Sequence, residues 1–159
     1  MKKLSTVFIL TTLVLAVIVM SCNTTPATDW TAVAGKEWRL IEVHISDTFD
    51  REVLFNRNDL SRDSNTRDVF TLKFENDLVS GTGAPNRFNA PFTLGEQAQS
   101  IRIMPARSTQ MAPIFQPARL REHDFFMFLN NVYKWELDER LLVLRSKAQD
   151  DRDVVMIFQ

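Results

Sequence analysis

One thiol, two imidazoles and a few hydroxyls and carboxylates make up the reactive chemistry of this chain. The thiol is Cys22, the only cysteine. It follows Lys2 and Lys3, an apolar run from Val7 to Met20 broken by Thr11 and Thr12, and the small residue Ser21. A basic start, a short apolar middle and a small residue at the end are the layout of a secretory leader. With Cys22 directly behind it, the layout is that of a lipobox, in which Cys22 is acylated and begins the mature chain. The competing reading is an uncleaved anchor, because Leu4 to Met20 is about long enough to span a bilayer. The two threonines and the abrupt switch to Asn23-Thr24-Thr25-Pro26 favour the lipobox. The expected organisation is a lipoprotein leader over 1–21, a flexible tether over 22–34 and one domain over 35–159. The expected location is the cell envelope, attached to a membrane through the N-terminal lipid and facing the periplasm or the surface.

The other reactive groups form no catalytic pattern. His44 and His123 have neither a cysteine cluster nor an H-x-x-x-H spacing beside them, so no metal site is expected. Ser80, Ser108 and Thr109 lie near glycines or in polar segments, but no G-x-S-x-G is present to make one of them a nucleophile. Glu122 and Asp124 fall in the first turn of a predicted helix, where acidic residues usually serve the helix dipole. Gly81 and Gly83 alternate without a helix close behind, so they are not a phosphate loop. The run Phe125-Phe126-Met127-Phe128 reads as core with one exposed ring. No catalytic residue, metal or cofactor is expected, and the chain reads as a non-enzyme.

Composition narrows the class further. Removing the leader takes two of the 19 basic residues and leaves 17 against 20 acidic ones. A mildly acidic chain has no electrostatic footprint for nucleic acid. With Cys22 acylated, no thiol remains for a disulfide, and the core must hold by packing alone. The material is there: of 12 phenylalanines only Phe8 lies in the leader, and all 3 tryptophans follow it.

The elements that must position these residues are mostly short strands. Glu37 to Ile45 is rich in Trp and β-branched residues and predicts a strand with Ile41, Val43 and Ile45 on one face. Ser46 to Asp68 is polar and charge-dense around a small apolar island, Val53-Leu54-Phe55. So long a structureless loop is usually functional or disordered, and Asn56 to Thr66 is expected to add little to the core. Phe70, Leu72 and Phe74 alternate with polar residues as in a half-buried strand. Glu75-Asn76-Asp77 turns the chain and Leu78 to Gly81 returns it. Phe88 to Leu94 is a strand that Pro91 assigns to an edge or a bulge, and Ser100 to Met104 is another. Ala118 to Asn131 predicts the one helix, with Phe125, Phe126, Leu129 and Val132 at spacings of three and four. Val132 to Leu137, Leu141 to Arg145 and Val154 to Phe158 close the chain as strands. The class is mainly β (α+β): a small antiparallel β-barrel or half-barrel of about seven or eight strands with one α-helix.

Two segments carry a resemblance. Ser80-Gly81-Thr82-Gly83-Ala84-Pro85-Asn86-Arg87-Phe88-Asn89 resembles the glycine-rich "GCNRF" stretch of the HslJ-like (META) domain family. Ser108-Thr109-Gln110-Met111-Ala112-Pro113 is similar to its second signature, "TTRMAC". The opening Gly35-Lys36-Glu37-Trp38-Arg39-Leu40 and the closing Leu141-Leu142-Val143-Leu144 agree in order. Pro85 and Pro113 stand where that family often has cysteines that look able to bridge two loops. The resemblance therefore implies that the two loops are neighbours, here without a bridge. It also implies a small antiparallel barrel with one helix, and it links the chain to envelope lipoproteins and heat- or antibiotic-stress phenotypes without an established catalytic activity. On this reading Gly81, Gly83, Pro85, Asn86, Arg87, Phe88, Ser108, Thr109, Met111, Ala112 and Pro113 are structural loop residues. Gly81 and Gly83 supply φ > 0, and Asn86 satisfies turn backbone groups. Three functions stay open: an envelope protein that works in stress tolerance through contacts with another protein, a barrel holding a small apolar ligand, and, least favoured, a hydrolase. A roomy interior with a few inward polar groups would favour the ligand; a filled one favours the contacts.

Overall fold

The computed structural model describes residues 29–47, 50–60, 68–112 and 119–159. Within them ten strands form one antiparallel sheet: β1 (Glu37–Ser46), β2 (Arg51–Asn56), β3 (Thr71–Glu75), β4 (Leu78–Thr82), β5 (Arg87–Leu94), β6 (Ile101–Ile103), β7 (Arg107–Ser108), β8 (Lys134–Asp138), β9 (Leu141–Lys147) and β10 (Asp153–Phe158). One α-helix, α1 (Glu122–Asn130), precedes β8. Eight strands run in the order β6-β5-β4-β3-β1-β10-β9-β8, with β2 branching from β1 and β7 from β5. The two ends of that path meet at a bridge between Ser100 and Lys134, where the Trp135 amide donates to Gln99 O at 2.8 Å. The result is a nearly closed barrel of eight strands, as expected, with the two branches as additions. Closure removes most of the free edges that a short-stranded sheet would otherwise expose.

Turn chemistry sets the registers. Asn76 and Asp77 both take positive φ (49° and 61°), joining β3 to β4 through a two-residue connection with Glu75 opposite Leu78. This is the mirror-image turn whose twist matches that of the flanking strands. Pro91 does not interrupt β5. It sits where the outer neighbour of β5 changes from β7, opposite Phe88 and Asn89, to β6, opposite Phe92 to Leu94. A missing N–H costs nothing in that gap. Phe70 does not belong to the strand its alternation suggests. It stands at φ 55° just before β3, fully buried, with its ring against Phe55 and Phe125.

Three other expectations change. In β1 the pairing with β10 shifts between Leu40 and Glu42, and such an extra residue flips the inward parity. Trp38 and Leu40 therefore face the core with Val43 and Ile45, while Ile41 is only half-buried. The segment expected as a long loop contains β2, whose Phe55 is buried, and a 3-10 turn at Arg57–Asp59. Arg57 reaches inward to donate to Leu40 O and, at 2.6 Å, to Val69 O, so the part of 56–66 nearest β2 is built into the barrel. Residues 61–67 of that segment lie outside the described residues. The helix is shorter than expected, beginning after Arg121, and buries Phe125, Phe128 and Leu129 rather than Phe126, which is half-buried against Phe88 at 5.1 Å.

The last part of the expected tether packs on the core, and Val33 belongs to it. Asp29 caps a 3-10 turn at Trp30–Ala32 by accepting from the Thr31 amide at 2.9 Å. Trp30 lies against Phe74 and Trp135, each at 5.0 Å between ring centres, and Phe92 at 5.4 Å. Val33 is fully buried and its carbonyl accepts from Trp38 Nε1 at 2.9 Å. These rings seal one end of the barrel, and Phe55, Phe70, Phe88 and Phe125 fill the rest. Trp30→Ala should cost about 2 kcal/mol, below the loss for a fully buried aromatic because the indole is half-buried, and Trp30→Phe much less. Urea denaturation checks this, and a Trp30→Ala midpoint equal to that of the unaltered chain would return this segment to a mere tether.

Candidate functional site

The two motif segments meet at one end of α1, and Glu122 holds them together. Its Oε1 accepts from the amides of Ala84 (2.6 Å) and Asn86 (2.7 Å), and its Oε2 accepts from Asn86 Nδ2 (2.6 Å). Asn86, buried, extends the circuit. Its Oδ1 accepts from Thr109 Oγ1 at 2.8 Å and from the Met111 amide at 2.7 Å, while Nδ2 also donates to Met111 O at 3.3 Å. Arg87 and Thr109 complete the pairing, the Thr109 amide donating to Arg87 O at 3.0 Å and the Arg87 amide to Thr109 Oγ1 at 3.2 Å. A carboxylate accepting several N–H groups makes charge-assisted bonds about twice as strong as neutral ones.

The sequence gives this circuit its room. A Cβ on Gly83 would lie 2.3 Å from Glu122 Oε1, and one on Gly81 would lie 1.9 Å from Thr71 O. Neither glycine has positive φ, so the expected reason for them is corrected: close approach, not a left-handed turn, requires them. Asn86 does serve backbone groups, but those of Met111 on the neighbouring segment rather than those of its own turn. Glu122 is the residue that sequence reasoning missed. Its first-turn position suggests only the helix dipole, whereas its carboxylate anchors a loop 36 positions earlier. Its place at the start of the helix, with a glycine-rich turn needing an acceptor elsewhere, is the signal that could have found it.

The remaining site residues are placed as follows. Pro85 is half-buried in the first segment, after a cis peptide bond, and Phe88 is buried against Phe125 and Phe126. Ser108 pairs with Phe88 across β7 and β5 and is exposed, as are Arg87, Thr109, Met111 and Ala112. Cys22 and Pro113 lie outside the described residues. The segments themselves are neighbours through Asn86 and Met111.

Neither imidazole approaches these hydroxyls among the described hydrogen bonds. His44 Nδ1 lies 2.8 Å from Glu42 Oε1, and Arg51 bonds the same carboxylate. His123 is exposed on α1. Burial first, and then Arg51, push the His44 imidazole below its ordinary value, outweighing the attraction of Glu42. The folded chain thus holds fewer protons than the unfolded one once pH drops to about 6.5. Stability should fall as pH decreases through that value and level off below the folded pKa. In His44→Gln this slope should flatten, as read from denaturation midpoints between about pH 7.5 and 5. A second expectation concerns Glu122→Gln, which leaves one acceptor for three donors and turns an NH2 towards one of them. It should cost about 2 kcal/mol and speed amide exchange at Ala84 and Asn86 above the global change; unchanged exchange there would remove Glu122 from its anchoring role.

No curated protein matches the chain. The fold is similar to that of a DUF4847 family protein from Bacteroides vulgatus, at 12% identity and a TM-score of 0.52, covering 80% of this chain and 94% of that one. It is also similar to a protein from Burkholderia xenovorans, at 12% identity and a TM-score of 0.55, covering 81% and 85%. At such identities the likeness is one of fold. A META domain profile matches residues 31–158, from the turn that seals the barrel to the last residue of β10, and the chain belongs to the META domain family.

Proposed function

We propose that this protein is a non-catalytic lipoprotein, anchored in the cell envelope through Cys22, that acts in stress tolerance through contacts with another envelope protein. The observation that carries the proposal is the closed hydrogen-bond circuit of Glu122, Asn86, Thr109 and Met111. The polar groups that look most like an active site are committed to holding two loops in place. The two loops so held form a rim, and what it presents outward is Met111, 55% exposed beside Ala112, on a backbone fixed by Asn86. A rigid rim with an exposed apolar side chain suits a contact surface better than a reaction centre. The apolar-ligand alternative is less favoured, because the rings that would line a cavity pack on one another instead, Phe74 on Phe92 at 5.2 Å and Phe70 on Phe125 at 4.8 Å.

Cys22→Ser should abolish incorporation of labelled fatty acid and leave the precursor unprocessed. In cells lacking their own copy, the unaltered chain should restore survival after heat or antibiotic challenge. Cys22→Ser should not, since stable attachment takes two or more chains. Fatty acid still incorporated into the Cys22→Ser protein would refute the anchor. Full rescue by Met111→Asp and Ala112→Asp together would refute the rim as the contact surface.

A further inference from the structure

The outer face of β5 and of its neighbours β6 and β7 carries positive charge that the chain does not neutralise. Pairing sets Arg87 opposite Thr82, Asn89 opposite both Ser80 and Arg107, and Thr93 opposite Arg102. Residues paired across strands share a face, and the alternate residues Phe88, Ala90 and Phe92 are the buried ones. Arg87, Arg102 and Arg107 therefore all project outward, with Arg87 and Arg107 on a diagonal of about 7–8 Å between Cα atoms. Among the described residues none of the three guanidinium groups has an ion pair. The acids of the same wall are already engaged, Glu37 by Arg39 at 3.3 Å and Glu75 by Lys73 at 3.0 Å. The whole chain has a net charge of −1, so this is segregation of charge and not general basicity. Asp47, Asp150, Asp151 and Asp153 gather instead around the β9–β10 turn.

Between the charges the wall dips. Thr71, Ser80, Gly81 and Thr82 are small, and together with Lys73 and Arg87 they line an open cleft of about 310 Å3 that Glu37 also borders. Thr82 donates its hydroxyl proton to Asp68 O, and Thr71 in turn donates to Thr82 Oγ1 at 3.0 Å. Those protons are committed, so the donors left to the cleft are the Arg87 guanidinium, the Ser80 hydroxyl and the Lys73 ammonium protons that Glu75 does not hold.

We propose that this cleft binds a phosphate group, carried by a lipid headgroup or by a soluble ester. A tetrahedral oxyanion accepts from several directions at once, which suits a guanidinium from β5, an ammonium from β3 and a hydroxyl from β4 between them. Arg107 and Arg102 extend the same field along β7 and β6 towards a second anionic group. The inference goes beyond the function proposed above and does not depend on the anchor or on the rim.

The test is NMR of the full-length protein in a non-ionic detergent, following the Arg87 Nε–Hε signal and the amides of Ser80 and Gly81. Inorganic phosphate is titrated in one arm, and phosphatidylglycerol is added to the micelles in the other. Saturating shifts at all three positions are expected in at least one arm. Response to the lipid alone identifies a headgroup as the source, and response to inorganic phosphate identifies a soluble ester. Arg87→Gln should weaken binding about tenfold, read at Ser80. Lys73→Gln provides an independent variant, and Arg140→Gln, in the exposed β8–β9 turn, should change nothing. No saturating shift in either arm overturns the site. So does a loss in Arg140→Gln equal to that in Arg87→Gln, because diffuse surface charge would then account for the binding.

Discussion

The carboxylate of Glu122 is the interaction on which the irregular half of this fold depends. Between β4 and β5 the chain must leave one strand and enter the next with several amides facing inward, and each unpaired amide would be costly to bury. Glu122 supplies the acceptor for two of them from a different part of the chain. Its second oxygen fixes Asn86, which then dictates where the segment after β7 lies. One side chain thereby links the helix, the glycine-rich turn and the second motif. The regular strands, by contrast, need nothing beyond their own ladders.

That division explains what was legible in the sequence. The alternation at Leu72 and Phe74 and the Asn76-Asp77 turn are local signals that match observed elements closely, and the apolar spacing of the helix locates it while overstating its length. Non-local features were hidden. Trp30 looks isolated among small polar residues, and only Phe74, Phe92 and Trp135, distant in sequence, pack it against the core. β2 looks like part of a charged loop because its outward residues are ionic and its inward anchor is the single Phe55. The bulge in β1 defeats a period-2 reading by inserting one residue. Glycine-rich turns suggest positive φ, yet Gly81 and Gly83 are required by what lies opposite them, which no reading of neighbours along the chain can provide.

Charge follows the same architecture. The barrel has a face where arginines outnumber their partners and an end where aspartates crowd the β9–β10 turn, with Lys147 and Arg152 interleaved. Because sheet pairing fixes which side chains share a wall, this separation is a property of register rather than of composition. A one-residue slip in β5 would turn Arg87 inward and Phe88 outward. The packing of Phe88 against the helix therefore also holds the charge pattern in place.

The seal formed by Trp30 has a mechanical consequence. Any pull on the N-terminal segment reaches the barrel at this indole before it reaches β1. The rings of Phe74, Phe92 and Trp135 belong to three different strands, so the load is divided among them at the outset. Past the seal, the pull runs along β1, a central strand paired on both edges. Hydrogen bonds on both sides of β1 are then strained together rather than one at a time, which is the loading geometry that a sheet resists best.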